Sequence, residues 1–430
     1  RYGYTMPGRT CLADVSEVLP GHWMVGLGGG EFAQKAYWQP STAPLDVTFD
    51  GAAEEVRHLL SRAVEARQLA SDVEVGAFLS GGVDSTVVCA LAGKSGYGTL
   101  RTFTAGFAEQ TYDERAWAAR AASELGTSHV AAELVPGEAM SLATKLNSHL
   151  GQPFGDASLV PSAMVAQVAG RQVKVVLTGD GGDEVFGGYA RYAGRLIRQR
   201  YMKFPGWMRG GLEKAVLAFP EPMAHHSGSL LKRAHLFVGL VREPAAAYVA
   251  PPAIRAETLS RLVPGLVAGR PAPIAPWPSD GDELRRMMLA DWLTWLPQDI
   301  LAKVDRATMA YSVEARSPFL DKALVEFVLR LPWHWHFDGF RGKALLKAAM
   351  RGHAPDFIWS RRKQGFASPV SHWMRGALGD QLLALCSGGD TGPVNAREVA
   401  RLLAEHRRGS VDHSQPLWLT YSYLDWRRAL

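Results

Sequence analysis

The first half of the chain alternates between short apolar runs and longer segments whose apolar residues recur at helical spacing. Over residues 50–70 these positions fall three and four apart, which predicts an amphipathic helix, and residues 74–79 form an apolar run typical of a buried strand. Strands separated by helices indicate βαβ units, and therefore a parallel, doubly wound α/β sheet with helices on both faces. The same rhythm predicts further strands at 100–106, 129–134 and 173–178, and further helices at 113–125 and 161–169.

The two ends of the chain follow different patterns. Before residue 45, two short aromatic-containing runs flank Gly28, Gly29 and Gly30, which predicts a β-hairpin with a glycine turn. Beyond Tyr189 the strand signals disappear, and the pattern predicts helices, with breaks at residues 251–252 and across the proline-rich residues 271–278. We therefore expect a hairpin segment at 1–45 and a main unit at 46–430, with an α/β core at about 46–195 and a largely helical part at about 196–430.

Composition and charge are those of an ordinary globular protein. The 430 residues are 47% hydrophobic and 21% charged, which allows a sizeable core. No apolar run is long enough to span a membrane and the first ten residues lack a secretory pattern, so the sequence predicts a cytoplasmic protein. The net charge of +5 is spread along the chain, which argues against nucleic-acid binding but is compatible with phosphate handling. Cys11, Cys89 and Cys386 suggest neither a disulfide framework nor a zinc cluster.

Two loops rich in glycine and aspartate follow predicted strands. The first, SGGVDST, covers residues 80–86, and the second, TGDGGDE, covers residues 178–184. Ligands of open parallel sheets bind at the carboxyl ends of the strands, and glycine lets a polyanion approach the backbone amides. Asp84 and Asp183 could share Mg2+, which is usually bound by one or two carboxylates together with phosphate oxygens. Either loop alone could equally be a tight turn, but their joint presence on one sheet favours a nucleotide site.

A Walker A loop is excluded. The segment Gly93-Lys94-Ser95 looks like the end of that motif, but Val88 stands where its first glycine should be, inside the helix predicted after residues 80–86. With no Walker lysine, the first loop must hold phosphates through hydroxyls and backbone amides.

The first loop resembles the pyrophosphatase loop (PP-loop) of enzymes that cleave ATP between its α and β phosphates. The resemblance extends, in order and over nearly the whole chain, to the synthetase domain of the asparagine synthetase B family, which has an adenine-nucleotide alpha-hydrolase-like fold. The stretches that carry it are SGGVDST (80–86), FTAGFAEQTYDERAWA (103–118), QPFGDAS (152–158), VVLTGDGGDEVFGGY (175–189), KVDRATMAYSVEARSPFLD (303–321), RRKQGFASPVSHW (361–373) and EHRRGSVDHSQPLWLTYSYLDW (405–426).

The resemblance implies a ligase that transfers AMP from ATP to a carboxylate, releases pyrophosphate and lets an amine attack the acyl-adenylate. Aspartate, amidated to asparagine, is the leading acceptor. Lys303 and Arg316 belong to a segment that lines the family's site, although residues 312–321 could equally be packing apparatus with an ion pair among Glu314, Arg316 and Asp321. The resemblance also implies which residues bind ATP: the phosphates are bound by Ser80, Gly81, Gly82, Asp84 and Ser85, and the adenine by Thr104 and Ala105. It implies that Mg2+ is bound by Asp84 and Asp183, and pyrophosphate by Lys343 and Lys363. It further implies that the acyl-adenylate lies beside Gly179 and Asp180, and that Asp180 assists the attacking amine.

Full-length members of the family begin with a glutaminase domain whose N-terminal cysteine is the nucleophile. This sequence begins with Arg1, and residues 9–23 resemble the connector that follows that domain, so Cys11 is not assigned the nucleophile's role. We expect a small-molecule carboxylate and ammonia as substrates, with a glutaminase domain or subunit as a possible ammonia source. We expect no nucleic-acid or membrane partner. A homodimer is left open. Related ligases that close β-lactam or lasso-peptide rings, or amidate cell-wall or natural-product carboxylates, stay open, as does a non-catalytic nucleotide-binding scaffold.

Overall fold

The strands form one larger sheet and two short hairpins. A computed structural model describes residues 1–28, 31–41, 43–96, 98–134, 136–149, 151–219, 229–242, 252–266, 283–361 and 368–429. The strands are β1 (His22–Gly28), β2 (Glu31–Ala36), β3 (Val75–Phe78), β4 (Arg101–Phe107), β5 (Ser128–Leu134), β6 (Val175–Leu177), β7 (Glu314–Arg316), β8 (Phe337–Asp338) and β9 (Arg341–Gly342).

The larger sheet is parallel and has the order β5–β4–β3–β6–β7 within the described residues. The chain builds outward from β3 through β4 to β5, then returns to the other side of β3 for β6 and β7. The direction of building therefore reverses between β3 and β6, where Ala77 is paired with Leu177. In open parallel sheets this reversal leaves a crevice at the carboxyl ends of the strands, which is where ligands bind.

Helices cover both faces of this sheet, as the hydrophobic pattern predicted. Val176 and Leu177 are adjacent on β6 and point to opposite faces, and each belongs to a different hydrophobic cluster. The helices are α1 (Phe49–Leu69), α2 (Val83–Lys94), α3 (Arg115–Leu125), α4 (Pro136–His149), α5 (Leu159–Ala169), α6 (Gly182–Phe186), α7 (Ala190–Tyr201), α8 (Gly206–Leu217), α9 (Leu230–Arg242), α10 (Ala256–Leu262), α11 (Glu283–Leu293), α12 (Ala302–Met309), α13 (Lys322–Val328), α14 (Ala344–Met350), α15 (Phe357–Ser360), α16 (Val370–Arg375), α17 (Ala377–Ser387), α18 (Ala396–Arg407) and α19 (Ser414–Arg428).

The two clusters divide these helices between the faces. Leu177 packs with residues of α1, α2, α13 and α14. Val176 packs with residues of α5, α17, α18 and α19. The C-terminal helices are thus part of the core that supports the sheet. Among the described residues, no helix has the length and apolar character needed to cross a lipid bilayer.

The expectation that strands end at Tyr189 is wrong in one respect. Strand β7 pairs with β6, with Leu177 opposite Arg316, and β8 and β9 form a short hairpin. Three- and two-residue strands carry too few residues to show a period of two, so pattern reasoning could not detect them. Of the predicted break at residues 251–252, Pro251 lies outside the described residues, and so do the proline-rich residues 271–278. The hairpin predicted from the two runs that flank Gly28, Gly29 and Gly30 is confirmed as β1 and β2, which pair antiparallel.

Candidate active site

The loop between β3 and α2 is shaped by its glycines and serines. Gly81 has a φ of +69°, which glycine adopts without strain, and a Cβ there would lie 2.5 Å from the Trp117 carbonyl oxygen. Ser80 Oγ accepts a hydrogen bond from Gly82 N at 3.2 Å and lies 3.1 Å from Ser85 Oγ. The loop leads into the N-terminus of α2, where backbone amides without helical partners favour an anion. The predicted phosphate-binding residues therefore occupy one continuous loop and helix start.

The second glycine loop lies directly against the first. A Cβ at Gly179 would lie 2.8 Å from Asp84 Cβ and 2.8 Å from Ser85 N, and one at Gly182 would lie 2.5 Å from Asp84 Oδ1. Real Cβ atoms do not approach this closely, so only glycine permits the contact. The two loops that the sequence placed on separate strands thus meet in the β3–β6 crevice.

Lys343 enters from a third element and lies between the two predicted metal ligands. Its Nζ is 2.5 Å from Asp84 Oδ1 and 2.5 Å from Asp183 Oδ1. Lys343 is 8% exposed and has a φ of +65° at the residue before α14. Burial acts to lower the pKa of Lys343, but the charges of Asp183 and Asp84 outweigh it and hold the pKa above its ordinary value. The charged lysine therefore neutralises one of the two carboxylates and leaves a net negative site.

This donor set fits Mg2+. Asp84 and Asp183 come from different loops, yet an oxygen of each lies within hydrogen-bonding distance of one ammonium nitrogen, so both can also converge on one metal ion. The described residues contain no group of three or more His, Cys, Asp or Glu side chains arranged to hold a metal ion. Two carboxylates completed by phosphate oxygens are the ligands that Mg2+ takes at nucleotide sites. The ammonium of Lys343 is the protein cation that would share these carboxylates with the metal.

A second buried ion pair involves Lys303, which the sequence had placed in the site. Lys303 Nζ, on α12, donates to Asp156 Oδ2 at 2.8 Å. Burial acts to raise the pKa of Asp156, but the charge of Lys303 outweighs it and lowers that pKa. Burial raises the pKa of Asp180, and Lys303 opposes this only in part. A carboxylate with a raised pKa is a better base, so Asp180 is suited to accept a proton.

Sequence reasoning missed several buried polar side chains around this ion pair. Glu184 is 2% exposed, accepts a hydrogen bond from Tyr189 Oη at 2.5 Å, and has its pKa raised to about 7 by burial and by the neighbouring Asp183. Asp299 is 1% exposed, and burial together with the charge of Asp156 raises its pKa well above the ordinary value. Glu184 and Asp156 stand in the quoted stretches 175–189 and 152–158, so motif membership was the available signal. Asp299 lies on a π-helical turn (Leu296–Leu301), which no sequence pattern marks.

Thr104 and Ala105 lie inside β4 rather than at its end. Their partners on β5 are Ala131 and Ala132, and β4 continues to Phe107. On the other side, pairing with β3 ends at Phe103, whose carbonyl accepts a hydrogen bond from Leu79 N at 2.9 Å. The β3-facing backbone edge of Thr104 and Ala105 therefore extends past the end of β3, and its contact with adenine stays a prediction.

The structure gives Arg316 packing contacts. Its Nη1 donates to the carbonyls of Arg67 and Ala70 at 2.7 and 3.1 Å, and its Nε lies 2.8 Å from Glu314 Oε1. This is the packing alternative that the sequence left open, except that Asp321 pairs with Arg67 instead. A contact between Arg316 and substrate stays a prediction, and Lys363 lies outside the described residues.

Comparison with models of protein families identifies the family of this chain. The model described as asparagine synthase matches residues 55–428. The chain belongs to the asparagine synthase family. Membership in the asparagine synthase family indicates a ligase that uses ATP to form amides, and the parallel sheet with two glycine loops at its switch point agrees with that chemistry.

Curated relatives in the asparagine synthase family are similar over most of the chain. The chain is 34% identical to the putative asparagine synthetase (glutamine-hydrolyzing) of Mycobacterium tuberculosis, over 91% of this chain and 60% of that protein. It is 29% identical to asparagine synthetase (glutamine-hydrolyzing) 1 of Bacillus subtilis, over 97% of this chain and 66% of that protein. It is also 26% identical to Amidase chyE of Penicillium rubens, over 87% of this chain and 62% of that protein. The chain thus spans about 60% of the length of the mycobacterial relative.

Proposed function

We propose that this chain catalyses the synthetase half of an ATP-dependent amidation, with the side chain of aspartate as the acceptor carboxylate and asparagine as the product. The carboxylate oxygen forms a bond to the α-phosphorus of ATP, and the bond to pyrophosphate breaks. Ammonia then attacks the acyl carbon, the amide forms, and AMP leaves. The ammonia is supplied by a glutaminase domain or subunit in the cell.

The observation that carries this proposal is the convergence at the sheet's switch point. Two glycine loops touch there, and Asp84 and Asp183 share one cation between them. A site that cleaves ATP at the α-phosphorus must hold three phosphates and neutralise the departing pyrophosphate, and this arrangement provides amides, hydroxyls and charge for both tasks.

The residues divide this work by position. Phosphate oxygens are bound by the hydroxyls and backbone amides of the first loop, at Ser80, Gly81, Gly82 and Ser85. The adenine contacts the backbone edge of Thr104 and Ala105. Bound Mg2+ would supply positive charge between the triphosphate and the carboxylates of Asp84 and Asp183. Lys343 provides a cation for the pyrophosphate, and Lys363 provides another. Charge neutralisation of this kind is worth most in a buried, low-dielectric site.

The amination step needs a group that takes a proton from the attacking nitrogen. Asp180 follows Gly179 in the second loop, and burial raises the pKa of its carboxyl. The ion pair of Lys303 with Asp156 keeps one positive charge beside Asp180 in this buried region. We assign proton acceptance to Asp180 and the electrostatic support of that loop to Lys303.

An exchange assay tests this function. The purified chain is incubated with ATP, MgCl2, labelled pyrophosphate and aspartate, and exchange of label into ATP is expected only when aspartate is present. Ammonium chloride should then yield asparagine and AMP in equal amounts. Asp84→Asn should lower exchange by at least about 100-fold, because it removes a charge that holds both Lys343 and the metal. Asp50→Asn is the matched control, since Asp50 also lies in the first turn of a helix but is exposed.

Other outcomes discriminate among the alternatives. Exchange with another carboxylate but not with aspartate would retain the adenylation chemistry and reject aspartate as the acceptor. Binding of ATP without exchange for any carboxylate, and without an effect of Asp84→Asn, would support a non-catalytic scaffold.

A further inference from the structure

A buried arginine–glutamate pair holds the first glycine loop from outside the carboxylate site. Arg361 Nη1, just after α15, donates to the Ser80 carbonyl at 3.1 Å, and its Nη2 donates to Glu114 Oε1. The two side chains are only 6% and 8% exposed. Glu114 is the residue that precedes α3. One guanidinium thus joins three segments that are far apart in the sequence.

The flat face of the same guanidinium is packed as well. Arg361 Cζ lies 5.1 Å from the centroid of the Trp117 ring on α3. Trp117 stacks on Phe357 of α15 with a centroid separation of 5.9 Å, and its backbone carbonyl is the group that a side chain at Gly81 would strike. A planar guanidinium bound at its edge and on its face has little freedom to move. The start of the loop is therefore fixed by α3 and α15 together.

The contact with Ser80 determines where the next amide points. The peptide bond between Ser80 and Gly81 is trans and planar, so its C=O and N–H point in opposite directions. Because the Ser80 carbonyl points at Arg361, the N–H of Gly81 points in the opposite direction within the same peptide plane, away from Arg361. The guanidinium of Arg361 pairs with the Glu114 carboxylate and donates to the Ser80 carbonyl. Arg361 therefore acts on the backbone of the loop and not as a cation for the phosphates.

We propose that Arg361 is a positioning residue for the nucleotide phosphates, that it orients the Gly81 amide toward them, and that Glu114 holds Arg361 in place. The proposal rests on the proposed function, because it assumes that the loop binds the phosphates of ATP.

The test compares ligands that differ only in their phosphates. The α,β-methylene analogue of ATP, with MgCl2, is titrated by calorimetry, and adenosine is titrated by ligand-detected NMR, so no acceptor is needed. Arg361→Gln should weaken binding of the analogue about 10- to 100-fold, since one charge-assisted hydrogen bond is lost, and should change adenosine binding less than about twofold. Glu114→Gln should weaken the analogue by a smaller factor. The double variant should be no weaker than Arg361→Gln alone, because both changes remove one function.

Two further variants separate positioning from general damage. Arg120→Gln is the matched control. Arg120, on α3, likewise packs its guanidinium on an aromatic ring, with Cζ 4.2 Å from the centroid of Phe357, but its side chain is 53% exposed and pairs with Glu124. The variant should bind both ligands like the unaltered protein. Arg361→Lys keeps the charge in case Arg361→Gln does not fold. A lysine cannot reproduce the guanidinium fork, so the analogue should still bind about 3- to 10-fold more weakly.

Three results would overturn the positioning role. These are unchanged analogue binding in both Arg361 variants, an equal loss of adenosine and analogue binding, and an equal loss in Arg120→Gln. If the unaltered protein binds adenosine but not the analogue, the proposed ATP site is wrong as well, and that result is distinguishable because no variant is involved.

Discussion

Lys343 Nζ lies 2.5 Å from Asp183 Oδ1, although the two residues are 160 positions apart in the sequence. The strained backbone of Lys343, with a φ of +65°, places the lysine at the start of α14 and directs it into the crevice between the two glycine loops. Glycine at position 188 is part of the same arrangement, since a Cβ there would lie 2.0 Å from Asp183 Oδ1 and 2.2 Å from Lys343 Cε. A protein cation is thus built into the site between the carboxylates that Mg2+ would use.

Removing this ammonium should make the protein depend on metal for stability. Lys343→Gln leaves Asp84 and Asp183 close together without a cation, so the variant should be less stable than the unaltered protein in the absence of Mg2+. Mg2+ at ten times its dissociation constant should restore about 1.4 kcal/mol. Denaturant unfolding with and without MgCl2 measures this. Lys347→Gln changes an exposed lysine on the same helix and keeps the Lys343 ammonium between the carboxylates, so it should respond less to the same MgCl2 concentration. An equal response of both variants would contradict the prediction.

The close contact of the two loops predicts the effect of a single methyl group. Gly179→Ala puts a Cβ 2.8 Å from both Asp84 Cβ and Ser85 N, so the first loop must shift. We expect a loss of about 1–3 kcal/mol in stability and a raised KM for ATP in the exchange assay. Gly93→Ala is the control, because Gly93 lies inside α2 and, apart from its chain neighbours and the helix's own backbone, nothing lies within 4 Å of the new Cβ. It should stabilise the protein by about 0.5–1 kcal/mol. Unchanged ATP kinetics in Gly179→Ala would refute the contact.

The buried carboxyl of Glu114 predicts a pH-dependent stability. Burial raises the pKa of Glu114 to about 7, the charge of Arg361 opposes the shift, and Asp113 adds to it. Because the pKa is raised in the folded state, the Glu114 carboxyl keeps its proton to a higher pH in the folded protein than in the unfolded chain. The stabilising contribution is therefore full below pH 4.5 and is lost as the pH rises to 7, by about 3 kcal/mol.

The matching variant isolates this contribution. Glu114→Gln cannot ionise, so its stability relative to the unaltered protein should rise by about 2–3 kcal/mol between pH 4.5 and pH 8. Denaturant unfolding of both proteins across that range measures the difference. A difference that stays constant with pH would show that Glu114 ionises normally.

Replacing only one partner of the Lys303–Asp156 ion pair should lower the stability of the folded protein. Lys303→Met leaves Asp156 without its cation in a buried site, which should cost about 3–5 kcal/mol. The double variant Lys303→Met/Asp156→Asn should recover part of that loss, since it removes the uncompensated charge. The exposed pair Lys322–Glu326, at 3.8 Å, is the control, and Lys322→Met should cost less than about 1 kcal/mol. Additive effects in the double-mutant cycle would mean that Lys303 and Asp156 do not interact.

The periodicity of hydrophobic residues predicts much of the framework. The predicted helix at 50–70 is α1 (Phe49–Leu69), and the predicted strand at 74–79 is β3 (Val75–Phe78). These elements are long or strongly apolar, so local pattern and burial agree. The three-residue strand β7 and the π-helical turn that carries Asp299 depend instead on contacts with distant segments, and neither has a local pattern.

The local amino-acid pattern was enough to locate the two glycine loops and their carboxylates, because a strand, a turn and a helix each leave a local signal. Which side chains pair with one another was set by the fold. In the folded chain Lys343 lies between Asp84 and Asp183, and Lys303 pairs with Asp156. Arg316 donates to a carbonyl at the end of α1, and the Ser80 carbonyl accepts a hydrogen bond from Arg361. These partners come from segments up to 281 residues apart, and their pairing depends on chain packing, which no local period encodes.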